Sequence, residues 1–315
     1  MTRTQDSVEV RHSELSDELS SSLDTQVAVI GWREGFDYHA DLALAPGQWT
    51  RVVLSPRVEE LNTSYEGSVD FGELINRQAL AYAAASSAGV PVPSVYLARH
   101  RRESQHGRSL LLLLERVPDD ESWSARSDYQ LGELVRQLHA IPGWVIDGGQ
   151  GDPVAWRDVV SARLTQRLSA AQRHLGLSDL PDVQRILDAE LAQAPKRPFD
   201  RLLHMDIRRP NICVTDQHIG GLIDFANVIR GDPLFELARI RHSGLLSNDF
   251  LRGYGIEDPA AWSSRNASLL ALYEIDIASL LVTVAIEEAD TPDLFAQAST
   301  RLRELIGIVR SALDE

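Results

Sequence analysis

The stretch that decides the fold is LLHMDIRRPNICV, residues 202–214. Two leucines lead into His204 and Asp206, and two arginines follow before Asn211. An apolar run closes the stretch and contains Cys213, the only cysteine of the chain. Polar residues between two short apolar runs are typical of a loop that is held by flanking strands. Such a loop would aim Asp206 at an incoming hydroxyl group and return Asn211 to the same site as a neutral metal ligand.

A second acidic residue follows at a fitting distance. Asp224 ends an apolar strand in LIDFANVIRGDPLFELARI, thirteen residues beyond Asn211. The predicted hairpin ICVTDQHIGGLIDF would bring Asp224 back beside Asn211 as an anionic ligand. Mg²⁺ with phosphate substrates prefers this mixture of few carboxylates and carbonyl oxygens. Phosphoryl transfer asks little more of a protein than a positioned nucleophile, a metal and bound phosphates.

Composition limits the classes of function. A length of 315 residues suits two domains or one large bilobal unit. The net charge of -15 argues against nucleic acid as the main partner, because a phosphate backbone needs a basic surface. No uninterrupted apolar run approaches the length of a membrane span, so we expect no membrane. One cysteine excludes an internal disulfide, and we expect Cys213 to be a buried, inert thiol in a cytoplasmic protein.

The order of elements predicts an α+β fold. Residues 1–25 form a polar lead-in without a signal-peptide core. Residues 26–58 alternate like a β-meander, and residues 58–70 are polar and loop-like. Residues 71–89 have helical character and end at Gly89, a suitable C-cap.

Two more strands follow before residue 118, and helices dominate after it. The sequence therefore predicts a small β-rich N-lobe at residues 26–117 that binds nucleotide. It predicts a larger helical C-lobe at residues 118–315 with the catalytic loop and the acceptor site.

These segments resemble motifs of the aminoglycoside phosphotransferase and choline kinase-like superfamily, whose members are relatives of protein kinases. HMDIRRPN resembles the catalytic loop, commonly written HGDxxxxN, and LIDFANVIRGDPLFELA resembles the metal-binding strand and the G-D-P segment after it. AGVPVPSV and LVRQLHAIP match further stretches, and the resemblance covers residues 26–315 in order. It implies a bilobal protein-kinase-like fold, ATP or GTP and Mg²⁺ as cofactors, and a hydroxyl group as phosphate acceptor.

The resemblance also implies roles in the C-lobe. Asp206 would be the catalytic base, and Asn211 with Asp224 would hold Mg²⁺. His204 would brace the catalytic loop, and Asp232 would organise that loop from behind. Met205 replaces the usual glycine of the loop.

Two arginines of the loop and several N-lobe residues complete the implied site. Arg208 and Arg209 put two cations beside the transfer site, where one can neutralise the γ-phosphate and the other can simply solvate the loop. The backbone from Glu115 to Val117 would meet the adenine as the hinge. Residues 31–38, which include Gly31 and Gly35, would cover the phosphates.

The N-lobe departs from the family at its phosphate clamp. The only lysine, Lys196, lies outside the third strand, where relatives carry one. The expected position falls near Ser55, and Arg57 lies two residues further, on the same face if the strand continues. The partner glutamate position falls on Gln78. The other residues that could form such a clamp are Arg33, Arg51 and Glu73.

Three explanations remain open for that departure. The chain is an active kinase with a rewired clamp, a pseudokinase without turnover, or a kinase whose N-lobe register differs by a residue or two. The retention of Asp206, Asn211 and Asp224 favours activity.

The acceptor is expected between the catalytic loop and the C-terminal helices. Acidic residues there would suit a cationic acceptor such as an aminoglycoside or choline, although each also fits a solvated helix face. The candidates are Glu236, Glu274, Asp276, Glu287 and Glu288. Tyr273 and Trp262 fit either a pocket wall or the core.

Three hypotheses about function follow. The first is a Mg²⁺-dependent ATP phosphotransferase that acts on a hydroxyl group of a small molecule, such as an antibiotic. The second is a Ser/Thr kinase of a precursor peptide in ribosomal peptide maturation, acting with a lyase partner. The third is a non-catalytic, pseudokinase-like binding module.

Overall fold

The computed structural model describes most of the chain. The described ranges are 16–17, 19–21, 26–34, 38–45, 48–54, 60–63, 67–101, 109–120, 122–147, 156–177, 182–192, 198–287 and 289–314. Several residues singled out from the sequence lie outside them, namely Gly35, Ser55, Arg57, Lys196 and Glu288. The substitute phosphate clamp therefore stays a prediction.

A five-stranded antiparallel sheet occupies the first part of the chain. Its strands lie in the order β1-β2-β3-β7-β6. Their bounds are β1 Ala28–Glu34, β2 Tyr38–Ala45, β3 Gln48–Leu54, β6 Val95–Arg101 and β7 Ser109–Glu115. The predicted meander is confirmed by β1, β2 and β3. Strand β7 lies between β3 and β6, and its buried Leu112 and Leu113 explain the uninterrupted leucine run.

The loop predicted at residues 58–70 is wrong in part. β4 Glu60–Thr63 pairs with β5 Gly67–Asp70 as an antiparallel hairpin. These short strands are polar and lack the apolar alternation that makes a strand recognisable in a sequence.

The helix predicted after that hairpin is confirmed as α1, Phe71–Ser87. Gly89 has φ +79°, a left-handed conformation that glycine adopts without strain. The amide of Val90 donates to the carbonyl of Ala85 at 3.0 Å, and this bond closes the C-terminal end of the helix. α1 contacts β6 and β7, so one of its faces lies over the sheet.

The remainder of the described chain is mainly helical. Its helices are α2 Ala125–Leu138, α3 Trp156–Leu175, α4 Val183–Ala192, α5 Pro233–His242, α6 Asn248–Gly253, α7 Pro259–Arg265, α8 Ala267–Glu287 and α9 Pro292–Asp314. Two small antiparallel pairs lie among them: β8 Arg201–Leu203 with β11 Ile229–Gly231, and β9 Ile212–Thr215 with β10 His218–Leu222. The α+β class is confirmed. The domain boundary between residues 117 and 118 stays a prediction.

Helix α8 is the core helix of this part. It contacts α3, α5 and α9. Within the described residues it is the one helix whose length and apolar composition would allow a membrane span, yet 72% of that apolar window is buried inside the protein. Acidic side chains on α8 are paired with arginines of α3, α5 and α9.

Candidate active site

The predicted catalytic loop, residues 204–211, runs between two strand pairs. His204 follows β8 directly, and Asn211 directly precedes β9. Because β8 pairs with β11 and β9 pairs with β10, both ends of the loop are anchored by backbone hydrogen bonds. A short 3-10 turn, Arg209–Asn211, closes the loop.

Asp206 and Asn211 are joined within the loop. The Asn211 side-chain amide donates to a carboxylate oxygen of Asp206 at 2.7 Å and to the Asp206 carbonyl at 2.9 Å. Since the amide nitrogen of Asn211 is committed to Asp206, its amide oxygen is the atom available to a cation. The Asp206 carboxylate is 18% exposed, so a substrate hydroxyl can reach it.

Asp224 lies on the neighbouring segment in a left-handed conformation, with φ +67°. The amide of Ile223 donates to the carbonyl of Asn211 at 3.0 Å, which brings the two predicted metal ligands together. The amide of Asp224 donates to the hydroxyl of Tyr82 on α1 at 2.9 Å. Burial, and then the nearby Asp224 charge, raise the pKa of the Tyr82 phenol, so this contact stays neutral at physiological pH.

A cavity of about 240 Å³ connects these groups to the sheet. Asn211 and Asp224 lie at one side, and Glu115, Arg116 and Val117 lie at the other. The remaining lining residues are Gln78, Tyr82, Pro93, Leu114, Arg208, Pro210, Cys213 and Ile223. The structure therefore brings the predicted hinge, the predicted metal ligands and Gln78 to one cavity. Cys213 is buried, as expected.

The two predicted metal ligands suit Mg²⁺ by their chemistry. One amide oxygen and one carboxylate form an incomplete oxygen donor set, which Mg²⁺ typically completes with substrate phosphates and water. Among the described residues there is no cluster of three or more His, Cys, Asp or Glu that would form a closed metal cage. Asn211 and Asp224 thus fit the cation of a nucleotide complex.

His204 braces the loop through both ring nitrogens. Nδ1 accepts from the Asp206 amide at 3.2 Å, and Nε2 lies 3.0 Å from the carbonyl of Ile223. These partners place the ring proton on Nε2. The ring packs on Phe225 with a centroid distance of 4.3 Å. The side chain is fully buried, so it cannot contact substrate and acts on the position of Asp206.

Glu236, predicted as an acceptor ligand, instead holds the catalytic loop. Its carboxylate accepts from the amides of His204 and Met205, and the side chain has no exposed surface. His139 Nε2 lies 2.8 Å from the same carboxylate. Burial opposes ionisation of Glu236, but His139 and the other donors outweigh it and lower its pKa. The acceptor prediction is wrong for Glu236 because no substrate can reach it.

The same correction holds for Glu274 and Asp276 on α8. Asp276 is fully buried and is paired with three arginines, Arg163, Arg167 and Arg239. Glu274 is 1% exposed and is paired with Arg241, Arg301 and His242. Both carboxylates are buried, and neighbouring cationic side chains balance their charges. Neither carboxylate is therefore available to attract a cationic acceptor.

The other residues proposed for the acceptor site lie elsewhere. A carboxylate oxygen of Glu287 lies 3.0 Å from His174 Nε2. Tyr273 is buried, and its hydroxyl donates to Asp232 at 3.1 Å. Trp262 is partly buried and packs against the core. Tyr273 and Trp262 are thus core residues.

Asp232 lies at the N-cap of α5. It accepts from the amide of Leu234 at 2.9 Å as well as from Tyr273. Trp156 Nε1 donates to the same tyrosine hydroxyl at 3.0 Å. Asp232 is fully buried, so it touches neither nucleotide nor acceptor.

The two loop arginines have different surroundings. Arg208 lines the cavity, and its Nε lies 3.0 and 3.1 Å from the two carboxylate oxygens of Asp206. Arg209 stacks its guanidinium over the ring of Trp123, with 4.1 Å between Cζ and the ring centroid. Of the two loop arginines, Arg208 is therefore the one that lines the cavity.

Among the residues predicted to bind nucleotide, Gln78 and Glu115 line the cavity. Gln78 is 4% exposed and lies one helical turn before Tyr82, on the same face of α1. The Glu115 side chain accepts from the hydroxyl of Ser94 at 2.8 Å. Gly31 lies in β1 opposite Asp41 of β2.

Four residues of the site have no role in the sequence interpretation. They are Tyr82, Trp123, His139 and Tyr254, whose hydroxyl lies 2.8 Å from His139 Nδ1. Tyr82 has a sequence signal, because it follows Gln78 by four positions on a helix. His139 lies in the LVRQLHAIP stretch, but nothing in that stretch reveals Glu236 as its partner.

Known proteins are similar in sequence to part of this chain. The model of the APH family, described as "Phosphotransferase enzyme family", matches residues 73–265. Homoserine kinase of Pseudomonas aeruginosa is 31% identical over 145 residues, which are 46% of this chain. The chain spans 42% of the length of that relative.

Solved structures resemble the whole fold. A thermostable aminoglycoside phosphotransferase APH(4)-Ia, in ternary complex with AMP-PNP and hygromycin B, superposes with a TM-score of 0.63 at 16% identity. That match covers 93% of this chain and 98% of the other. The macrolide 2'-phosphotransferase MphH of Brachybacterium faecium gives a TM-score of 0.54 at 18% identity, over 92% of this chain and 97% of the other. These likenesses confirm the expected fold, and the family match extends over more than half of the sequence. This chain belongs to the APH phosphotransferase enzyme family.

Proposed function

We propose that the protein is a Mg²⁺-dependent kinase that transfers the γ-phosphate of ATP or GTP to a hydroxyl group of a small molecule. The cavity that joins the hinge backbone to Asn211 and Asp224 carries this proposal. It also supports two lobes, residues 26–117 and 118–315, with the nucleotide between them. Solved neighbours of the same fold contain AMP-PNP with hygromycin B, and GDP.

Each residue has a role in that reaction. Asp206 orients the acceptor hydroxyl and takes up its proton, because its carboxylate is positioned by Asn211 and partly exposed. Asn211 and Asp224 would hold Mg²⁺, which neutralises phosphate charge when bound. Arg208 leaves Asp206 and turns to the γ-phosphate, where a cation stabilises the charge that develops during transfer. The hinge backbone binds the base.

Asp206→Asn tests the assignment. We expect kcat to fall by about 10²–10⁴-fold, the usual contribution of a positioned base, while Mg²⁺-ATP binding persists. Turnover is measured by transfer of labelled γ-phosphate, and binding is measured by calorimetry. Asp249→Asn is the matched control, because Asp249 pairs with Arg252 on the surface.

The outcomes separate the competing functions. A wild-type protein that binds Mg²⁺-ATP without any turnover would be the pseudokinase-like module. Absence of Mg²⁺-ATP binding would contradict the kinase assignment itself. The comparisons give no support to the precursor-peptide kinase with a lyase partner. The cytoplasmic location stays a prediction that rests on the single cysteine.

A further inference from the structure

The two predicted metal ligands are held in different ways. The Asn211 side chain is oriented directly, because its amide nitrogen donates to the carboxylate and to the carbonyl oxygen of Asp206. Asp224 is held through its backbone, since its amide donates to the Tyr82 hydroxyl at 2.9 Å. In the described part of the chain, no hydrogen bond involves the Asp224 carboxylate itself. The backbone of Asp224 therefore sets the direction in which this carboxylate points.

The backbone conformation of Asp224 is an unfavourable one. Its φ of 67° and ψ of 64° lie in the left-handed region, where Cβ crowds the following carbonyl oxygen. Aspartate tolerates this region better than most residues, but the right-handed and extended regions remain favoured. A change to either region would redirect the Cα–Cβ bond and the carboxylate with it. The Tyr82 hydroxyl holds the amide of Asp224 and so opposes this change.

Tyr82 offers its hydroxyl from a fixed position on α1. The side chain is 1% exposed, and its ring packs on Phe225 with 4.6 Å between the ring centroids. Phe225 follows Asp224 in the chain and packs in turn on the ring of His204. Because the ring packing does not need the hydroxyl, phenylalanine at position 82 would keep the packing and lose only the hydrogen bond to Asp224.

The partner of the hydroxyl distinguishes Tyr82 from an ordinary core tyrosine. A buried tyrosine hydroxyl usually finds a hydrogen-bond partner. Tyr273 does so with Asp232 and Trp156, neither of which is among the residues that line the cavity. Tyr82 itself lines the cavity, and its partner is the amide of Asp224, which lines it as well. The hydrogen bond of Tyr82 thus lies where it can influence what the cavity binds.

We infer that Tyr82 is a positioning residue for the predicted metal site: its hydroxyl holds Asp224 in the left-handed conformation and thereby raises the affinity of the nucleotide site for Mg²⁺. The inference rests on the kinase function proposed above and adds a residue of α1 to the two ligands. Tyr82 acts through Asp224 and is not itself a ligand. Because Tyr82 lies on α1, the affinity for Mg²⁺ depends on how this helix packs against residues 224–225.

Tyr82→Phe tests this inference, because it separates the hydroxyl from the ring. Calorimetry measures the binding of ADP in Mg²⁺ and in EDTA, and the ratio of the two dissociation constants gives the affinity that Mg²⁺ adds. We expect Tyr82→Phe to reduce this ratio by about 3–10-fold, the usual effect of one lost hydrogen bond. The affinity for ADP in EDTA should not change, because the variant leaves the hinge side of the cavity intact.

Kinetics and a control variant complete the test. In Tyr82→Phe the KM for Mg²⁺ should rise by a similar factor, while kcat at saturating Mg²⁺ stays close to wild type. Tyr273→Phe is the matched control, because it also removes a buried tyrosine hydroxyl. It should lower the stability of the fold and leave the Mg²⁺ ratio unchanged. Denaturant unfolding of both variants measures stability.

The outcomes distinguish failure of the inference from failure of the proposed function. A Tyr82→Phe protein that is less stable but keeps the wild-type Mg²⁺ ratio would make Tyr82 an ordinary core residue and overturn the inference, while the kinase function stands. A fall of the ratio in Tyr273→Phe as large as in Tyr82→Phe would have the same consequence. If the wild-type protein binds ADP no better in Mg²⁺ than in EDTA, the proposed function fails, and the inference fails with it.

Discussion

At the scale of single residues, Met205 combines an unfavourable backbone with favourable packing. Its φ is +66°, in the left-handed region, and its side chain is fully buried. Left-handed backbone costs a non-glycine residue about 1–2 kcal/mol. The amide of Met205 donates to Glu236, and this bond holds the loop in that conformation. The glycine that the resemblance leads one to expect at this position would adopt the same backbone conformation without that cost.

Met205→Gly should nevertheless destabilise the protein. It relieves the backbone strain but removes a buried side chain worth about 2–5 kcal/mol, so we expect a net loss of about 1–3 kcal/mol. Denaturant unfolding measures the change in free energy. Gln217→Gly is the control, because Gln217 has φ +62° with an exposed side chain, so only strain is relieved. A more stable Met205→Gly protein would show that packing of Met205 contributes little.

Replacement of Arg208 should lower the activity of the protein while leaving its stability almost unchanged. Its pair with Asp206 is half exposed, so Arg208→Gln should change the free energy of unfolding by less than about 1 kcal/mol. Loss of a cation at the transferring phosphate should lower kcat by about 10²-fold or more. Steady-state kinetics and unfolding are measured on the same preparation. An unchanged kcat would show that Arg208 only solvates the loop.

At the scale of elements, helix α5 positions the catalytic loop. Glu236 of α5 accepts from two consecutive loop amides, and His139 at the end of α2 bonds the same carboxylate. Tyr254 then ties His139 to the end of α6. Three helices thus converge on one buried carboxylate behind His204.

Glu236→Gln tests this arrangement. Both carboxylate oxygens accept from the loop, Oε1 from the Met205 amide and Oε2 from the His204 amide. The NH₂ group of glutamine must therefore face one of these two N–H donors, and that buried donor loses its acceptor. We expect destabilisation of about 1–3 kcal/mol. Because the loop carries Asp206, kcat should fall more than the KM for ATP changes. Loss of stability with unchanged kcat would indicate that α5 supports the fold without positioning the base.

At the scale of the whole molecule, acidic side chains of α8 join the helices of the second half. Asp276 is bound by arginines of α3 and α5, and Glu274 by residues of α5 and α9. Breaking such a buried pair on one side leaves an uncompensated charge. These contacts explain why a helix apolar enough for a membrane carries two acidic residues in its middle.

Glu274 should contribute to the pH dependence of stability. Burial opposes its ionisation, but His242, Arg301 and Arg241 outweigh burial and lower its pKa from 4.5 to about 2. A lowered native pKa stabilises the fold above the unfolded value of 4.5, and this stability is lost as the pH falls from 4.5 towards 2.

Glu274→Gln should therefore flatten the acid side of the stability profile. Unfolding free energies measured between pH 6 and about 2 should show a smaller slope than wild type below pH 5. Glu257→Gln, which changes an exposed carboxylate, is the control. An unchanged slope in Glu274→Gln would mean that the ion cluster does not respond to acid as a unit.

Local signals in the sequence determined the loop at residues 204–211, the segment that carries Asp224 and the order of elements. The spacing of Asp206, Asn211 and Asp224 is a local property, since one short loop and the β9–β10 hairpin fix it. The apolar run of β7 and the Gly89 cap are local in the same sense. Family and fold class could both be recognised from such patterns.

Only the tertiary structure decided which charges remain available. Glu236, Glu274 and Asp276 read as acidic surface in the sequence, because their partners are distant in the chain and a single sequence does not reveal such pairings. Packing places arginines and His139 against them and removes them from the acceptor site. The same packing stacks Arg209 on Trp123. Which charged side chains stay available for binding therefore depends on contacts between elements that are distant in the chain.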